Sequence, residues 1–323
     1  GSRLTTGGTF IASELEKRLA DFKHSESALV FNTGYMTNLG VLYGLLQTGD
    51  VVFSDELNHA SIIDGCRISR CKVVVYKHND MADLQRLLET EIVTGQRFIV
   101  TDGVFSMDGD IADLPSLAVL KKQFNAFLIV DDAHGVGVIG NDGSGTASHY
   151  GLTDVIDLQV GTLSKALAAE GGYVAGKKIL IDYLINRSRP FIFSTALAPA
   201  TLAAANAALL LLQTQASKYL DSLRANSRLM RRLLLEGGLN VVEGITPIIP
   251  VVIGEAGLTM QFADRLKSKG ILVSGIRPPT VPRGESRLRI TVTAAHCEEQ
   301  LRQAAQIITA LWQELKHGEK KEG

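Results

Sequence analysis

The stretch LIVDDAHGVG, residues 128–137, decides how this chain is read. A short apolar run ends abruptly in two carboxylates, Asp131 and Asp132, and His134 and glycines follow. Short apolar runs bounded by turn residues suit strands buried on both faces of a sheet. The same form recurs in SALVF (27–31), DVVFS (50–54), KVVVY (72–76), RFIVTD (97–102), FLIVDD (127–132) and DLQVGT (157–162). Between these runs the period changes. In IASELEKRLADFK the apolar Ile11, Leu15, Leu19 and Phe22 recur at helical spacing. DMADLQRLLETEI and DLPSLAVLKKQF repeat that spacing, with Asp80 and Asp113 placed as N-caps. Alternating strands and helices predict an α/β fold with a mostly parallel central sheet between helices. Such sheets bind ligands at the carboxyl ends of their strands. The chemistry is therefore expected just after each apolar run.

The length, 323 residues, exceeds one ordinary core. A large domain is expected over 1–212 and a smaller C-terminal α+β domain over 213–323. The second holds helical stretches at 218–237 and 258–269, the strand-like IIPVVIG, ILVSGI and RLRITVT, and a last helix over 298–316. The GEKKEG tail is expected to be loose. The apolar stretch 197–213 is Ala-rich, holds Asn206 and begins with a proline turn. A membrane span needs roughly 20 strongly apolar residues, so a buried core helix is the reading and no membrane role is expected. A net charge of -1 gives no support for nucleic-acid binding. Cys66, Cys71 and Cys297 show no Cys-x-x-Cys spacing and no His/Cys cluster. They read as free thiols of a reducing, cytoplasmic setting, with no metal site.

Three chemistries compete for the acidic strand end. Gly135 to Gly140 fits the G-x-G-x-x-G of dinucleotide folds. That fingerprint needs its first glycine at a strand–helix turn. Here Asp-Ala-His intervenes, and the loop NDGSG follows. GGYVAGKK, 171–178, nearly matches a nucleotide phosphate loop. Lys178 stands where a hydroxyl must meet magnesium, and no clear strand–loop–helix unit is evident. The third chemistry is that of pyridoxal phosphate. It needs a lysine for a Schiff base, an acid facing the ring nitrogen, phosphate donors and a group packed on the ring. Asp131 and Asp132 are consecutive in a strand and face opposite sides, so only one can meet a given ligand. The next strand end, GTLSKA, carries Lys165 beside Thr162 and Ser164. Spacing alone leaves this reading level with one of ordinary polar loop residues.

The motifs taken together add a resemblance. LNHASIIDGCR, TDGVFSMDGDIADL, VDDAHGVGVIG, GTLSKALAAEGGY, RSRPFIFSTALAPA and IRPPTVPRGESRLRIT occur in order over nearly the whole chain. This set resembles the α-oxoamine synthases, fold-type-I pyridoxal phosphate transferases. GSRLTTG, TPIIPVVIG and IRPPTVP resemble the branch that condenses L-alanine with a pimeloyl thioester, carried on CoA or an acyl-carrier protein. TDGVFSMDG and RSRPFIFS also resemble a sister branch that uses glycine and acetyl-CoA. Outside both stands a cofactor-binding homologue without activity. Family members carry a further segment before the GSRLTTG motif, and a chain lacking it is expected to fall short of full activity.

The resemblance implies roles residue by residue. Lys165 is the Schiff-base lysine and the base that takes the Cα proton. Asp131 faces the pyridinium nitrogen, and Asp132 is left a structural part. His134 meets the phenolic oxygen, and His59 stacks on the ring. Gly34 and Tyr35 lie at a helix start suited to phosphate, with Thr162 adding a hydroxyl. Ser106 lies near the cofactor oxygen. Thr195 reaches the phosphate of a neighbouring subunit, which implies a homodimer with shared sites. Arg289 clamps the amino-acid carboxylate, with Arg287 as the fallback on the same strand face.

Overall fold

The computed structural model describes the backbone of residues 1–322 and the side chains of 1–316. The side chains of His317, for which no role is expected, and of the GEKKEG tail are not described. Two compact units emerge. One comprises Gly1–Phe105 with Ile111–Ser217, the other Ser106–Asp110 with Lys218–Gly323. The capture of five residues, 106–110, by the second unit has no signature in the local sequence.

In the first unit, among the described residues, seven strands form one sheet: β1 (Ser27–Phe31), β2 (Val51–Asp55), β3 (Lys72–Tyr76), β4 (Arg97–Asp102), β5 (Ala126–Asp131), β6 (Leu158–Thr162) and β7 (Gly172–Gly176). Their spatial order is β1-β7-β6-β5-β4-β2-β3. Strands β2 to β6 pair in parallel, and β7 runs antiparallel to both of its neighbours. Successive residues serve opposite faces. Phe98, Val100 and Ile129 enter one core cluster, while Ile99, Leu128 and Val130 enter another. Helices Phe10–Phe22, Met81–Thr90 and Leu114–Gln123 match their predicted stretches. Asp80 and Asp113 cap the latter two, accepting from the N–H groups of Asp83 and Ser116.

Three expectations for this unit need correction. The helix expected to be buried over 197–213 buries only one face, and Leu210 and Leu211 are exposed at 46% and 47%. KVVVY is not buried on both faces. It is the edge strand β3, and Val73 and Val75 are exposed at 39% and 57%. GGYVAGKK does run from a strand into a helix, since β7 leads through Lys177 into Lys178–Arg187. Its glycines hid the strand, because glycine gives no side chain to pack. The chain needs them there. A Cβ at Gly172 would come within 2.7 Å of the Gly34 main chain. The phosphate-loop reading fails, because the glycines build the strand instead of following it. The dinucleotide reading fails too. Residues 135–140 form turns, with Gly137 and Gly140 at φ 72° and 88°, and the next helix is the short Thr146–His149.

Helix Pro199–Glu236 joins two stretches expected as separate helices. Gln215, at φ -134°, breaks it just where the first unit gives way to the second. The second unit holds a sheet ordered β8 (Ile248–Gly254), β10 (Ser286–Thr291) and β9 (Ser274–Ile276), all pairings antiparallel. The strand expected over ILVSGI shrinks to its last three residues. Helices Ala256–Ser268 and Glu298–Glu322 complete the unit, with the stacked Phe262 and Trp312 in its core.

Asp132 shows how the sheet is locked. Its carboxylate accepts from Lys23 Nζ at 3.0 Å and from the main chain and hydroxyl of Thr146. Both partners of the ion pair are essentially fully buried. Burial pushes the Asp132 carboxyl up, and the Lys23 and Thr146 donors work against it. Lys23 Nζ also donates to the Ser144 carbonyl. Breaking a buried pair strands a charge, which costs about 3–5 kcal/mol. Lys23→Ala is therefore expected to lower the unfolding free energy by that order in urea titration. Lys178→Ala, which removes the exposed pair with Asp182, should change it by less than about 1 kcal/mol. Equal shifts would contradict the structural role of Asp132.

Candidate active site

The carboxyl ends of β4, β5 and β6 present Asp102, Asp131 and Thr162. Asp131 faces away from Asp132, as strand geometry requires. Its Oδ2 accepts from Asn38 Nδ2 at 2.5 Å and its Oδ1 from the Ala133 N–H at 3.0 Å. Asp131 is 6% exposed. Asn38 sits one turn inside the helix Gly34–Leu45 and also donates to Ser61 Oγ at 2.9 Å. Ser61 Oγ lies 2.7 Å from His59 Nδ1. His59 caps the helix Ala60–Ile68, its ring nitrogen accepting from the Ser61 N–H. His134 lies half-buried in the turn after β5.

The helix Gly34–Leu45 begins against the ends of β6 and β7. Thr33 caps it, its hydroxyl accepting from Met36 N–H at 3.0 Å. A Cβ at Gly34 would stand 3.3 Å from Thr162. Glycine at 34 and 172 thus lets the helix N-terminus approach the sheet edge. The unpaired N–H groups of a helix start favour an anion. The Tyr35 ring is exposed, and its hydroxyl donates to Asp64 at 2.7 Å, tying this helix to the next. The Thr162 hydroxyl donates to the Gly171 carbonyl and accepts from the Ser164 N–H. It holds the turn that carries Lys165. Lys165 is exposed at the end of β6, and its positive charge acts on Asp102.

Thr195 is exposed, and its carbonyl accepts from Asn32 Nδ2 at 2.8 Å. Ser106 and Arg289 belong to the second unit. There the Ser106 carbonyl accepts from Arg289 Nε. Arg289 Nη1 lies 3.2 Å from Thr291 Oγ1, so both of these contacts are neutral. Arg287 is 4% exposed and paired with the carboxylates of Asp108 and Glu285. Arg287 is thus engaged by two carboxylates of its own unit.

Two residues of the site escaped the sequence reading. Asn38 is a polar residue inside an apolar helix. Asp102 ends an apolar run just as Asp131 does, a signal present but not taken up. Asp102 and Asp131 are register partners on neighbouring strands and share a face. Burial raises the Asp102 carboxyl well above the usual carboxylate range, and the charge of Asp131 adds to it. The His59 N–H and the Lys165 charge oppose the shift. Among the described residues no cluster of His, Cys, Asp and Glu could hold a metal.

Residues 1–308 match the aminotransferase class I and II family. The chain belongs to that family. An 8-amino-7-oxononanoate synthase from Lysinibacillus sphaericus is 51% identical over 93% of this chain and 77% of its own length. Serine palmitoyltransferase from S. paucimobilis, solved with PLP–myriocin bound, superposes with a TM-score of 0.94 at 31% identity, over 98% of this chain and 80% of that one. An 8-amino-7-oxononanoate synthase structure from Francisella tularensis gives 0.81 at 31%, over 96% and 88%. These relatives are α-oxoamine synthases, the group that the sequence resembles, and their fold is the fold-type-I arrangement described above. No helix among the described residues is long and apolar enough to cross a membrane.

The raised Asp102 has a measurable consequence. The folded protein keeps a proton on this carboxyl that the unfolded chain releases near pH 4. The stability so contributed is present below that pH and is lost as pH rises toward the folded value. Asp102→Asn carries no such proton. Wild type should lose stability relative to Asp102→Asn as pH rises above about 4 in urea titrations. A difference independent of pH would contradict the shift.

Proposed function

We propose that this protein catalyses the decarboxylative condensation of L-alanine with a pimeloyl thioester, as in biotin synthesis. The products are 8-amino-7-oxononanoate, CO2 and the free thiol. The observation that carries the reading is 51% identity to an 8-amino-7-oxononanoate synthase over 93% of the chain. The strand-end constellation supports it, because each demand of pyridoxal phosphate meets a fitting group. Asp131, a buried carboxyl held by two N–H donors, suits the pyridinium nitrogen. The helix start at Gly34 and Tyr35 suits the phosphate, with Thr162 ordering the adjoining turn. His134 would serve the phenolic oxygen, His59 the ring face and Lys165 the Schiff base. When bound, the cofactor supplies an electron sink for the pair left at Cα.

The residues divide the work. Lys165 takes the proton from Cα of alanine and returns one after CO2 has left. Removing that proton leaves the carbon able to attack the thioester carbonyl. The new C–C bond forms as the C–S bond breaks, and the thiolate departs. Asp131 keeps the ring nitrogen protonated by offering it an anion. Arg289 holds the amino-acid carboxylate through its planar fork. Ser106 is assigned to the cofactor oxygen, and Thr195 to the phosphate of a neighbouring subunit in a homodimer. The free thiols fit a cytoplasmic enzyme.

A substrate panel tests this. CoA release with L-alanine plus pimeloyl-CoA should far exceed that with glycine plus acetyl-CoA. The reverse preference would favour 2-amino-3-ketobutyrate CoA ligase, the sister reaction. Bound cofactor with no turnover of either pair would point to an inert homologue. Arg289→Ala removes charge-assisted hydrogen bonds worth about 1.5–3 kcal/mol. It should raise the KM for L-alanine by about 10- to 100-fold, while the KM for pimeloyl-CoA changes little. An unchanged KM for L-alanine would remove Arg289 from the substrate site.

A further inference from the structure

Asp102 has no place in the division of labour above, yet a buried carboxyl beside Asp131 calls for a physical reason. Its surroundings supply one. Asp102 Oδ2 accepts from the His59 main-chain N–H at 2.9 Å. Its own N–H donates to Asn58 Oδ1 at 2.8 Å. Asn58 Nδ2 donates to Ser54 Oγ at 2.9 Å and to the Val100 carbonyl at 2.8 Å. The Asn58–His59 pair is thus clamped to the end of β4 from both sides.

The ring end of His59 is held independently. Its Nδ1 meets Ser61 Oγ, which accepts from Asn38, which donates to Asp131. Asp131 closes the loop, because it is the register partner of Asp102. The result is a closed circuit: Asp131, Asn38, Ser61, His59, Asp102, and back through the sheet. Its main-chain half fixes where His59 begins, and its side-chain half fixes how the ring turns.

We propose that Asp102 is a positioning residue, the main-chain anchor of a hydrogen-bonded circuit that sets the His59 ring relative to the Asp131 carboxylate. The proposal rests on the pyridoxal phosphate reading for its consequence and on the circuit alone for its geometry. Asparagine can replace the anchor, because its amide oxygen also accepts from the His59 N–H. Alanine cannot.

Two readouts test the anchor apart from activity. Amide hydrogen exchange at His59 in cofactor-free protein reads the clamp itself. Asp102→Ala should speed exchange about tenfold or more, and Asp102→Asn should retain most of the protection. Titration with pyridoxal phosphate, followed by its visible absorbance, reads the consequence. Asp102→Ala should weaken binding about tenfold and shift the bound absorption band, and Asp102→Asn should stay within about threefold of wild type. If Asp102→Ala does not fold, Ser61→Ala cuts the circuit from its other half and should likewise shift the bound band and weaken binding several-fold. The proposal is overturned if the disrupted variant matches wild type, or if Asp102→Asn is as damaged as Asp102→Ala. A wild-type protein that binds no pyridoxal phosphate would overturn the functional reading, while the exchange data would still decide the anchor.

Discussion

Consecutive residues of extended chain face opposite sides of a sheet, and the site depends on that constraint at Asp131, the last residue of β5, and Asp132 just beyond it, whose N–H still donates to the Val160 carbonyl. Two adjacent carboxylates on one face would repel each other and compete for donors. Split across the sheet, they take up separate tasks. Asp132 turns to Lys23 and Thr146 and fastens the chain after β5 to the first helix. Asp131 turns to Asn38 and becomes an ordered acid at the strand end. The same register brings Asp102 beside Asp131. There burial, with the neighbouring charge adding to it, raises the Asp102 carboxyl well above the usual carboxylate range.

Around that division, small residues set the distances. Gly172 lets a helix N-terminus reach the ends of β6 and β7, where a Cβ would come within 2.7 Å of the Gly34 main chain, and Gly34 itself stands close against Thr162. Thr162 spends its hydroxyl on the turn before Lys165. In the second unit the buried Arg287 is consumed by Asp108 and Glu285. That fixes β10 to the segment 106–110 and leaves Arg289, on the same strand, with neutral partners.

Much of the first unit was legible because its strands are apolar runs between amphipathic helices. Each of the six apolar runs picked out in the sequence became a strand of the sheet within one residue. β7 escaped because GGYVAG looks like a loop, and only tertiary contact shows why glycine is required there. KVVVY looked central because sequence shows residue type and not neighbours; sheet order alone puts it at an edge. Asp131, His134, Lys165 and His59 stood out through motifs. Asn38 and Asp102 did not, because their importance lies in what they touch, across helix and sheet, and not in local pattern. The capture of residues 106–110 by the second unit rests on contacts far along the chain, to Thr246, Arg287 and Arg289.

The proposed function depends on Lys165 binding pyridoxal phosphate covalently at the end of β6. Borohydride reduction of the protein loaded with that cofactor, followed by peptide mass mapping, tests it most directly. One pyridoxyl-modified site is expected, in the peptide that contains Lys165, with loss of that adduct in Lys165→Ala. A reduced adduct on another lysine, or one that survives in Lys165→Ala, would contradict it.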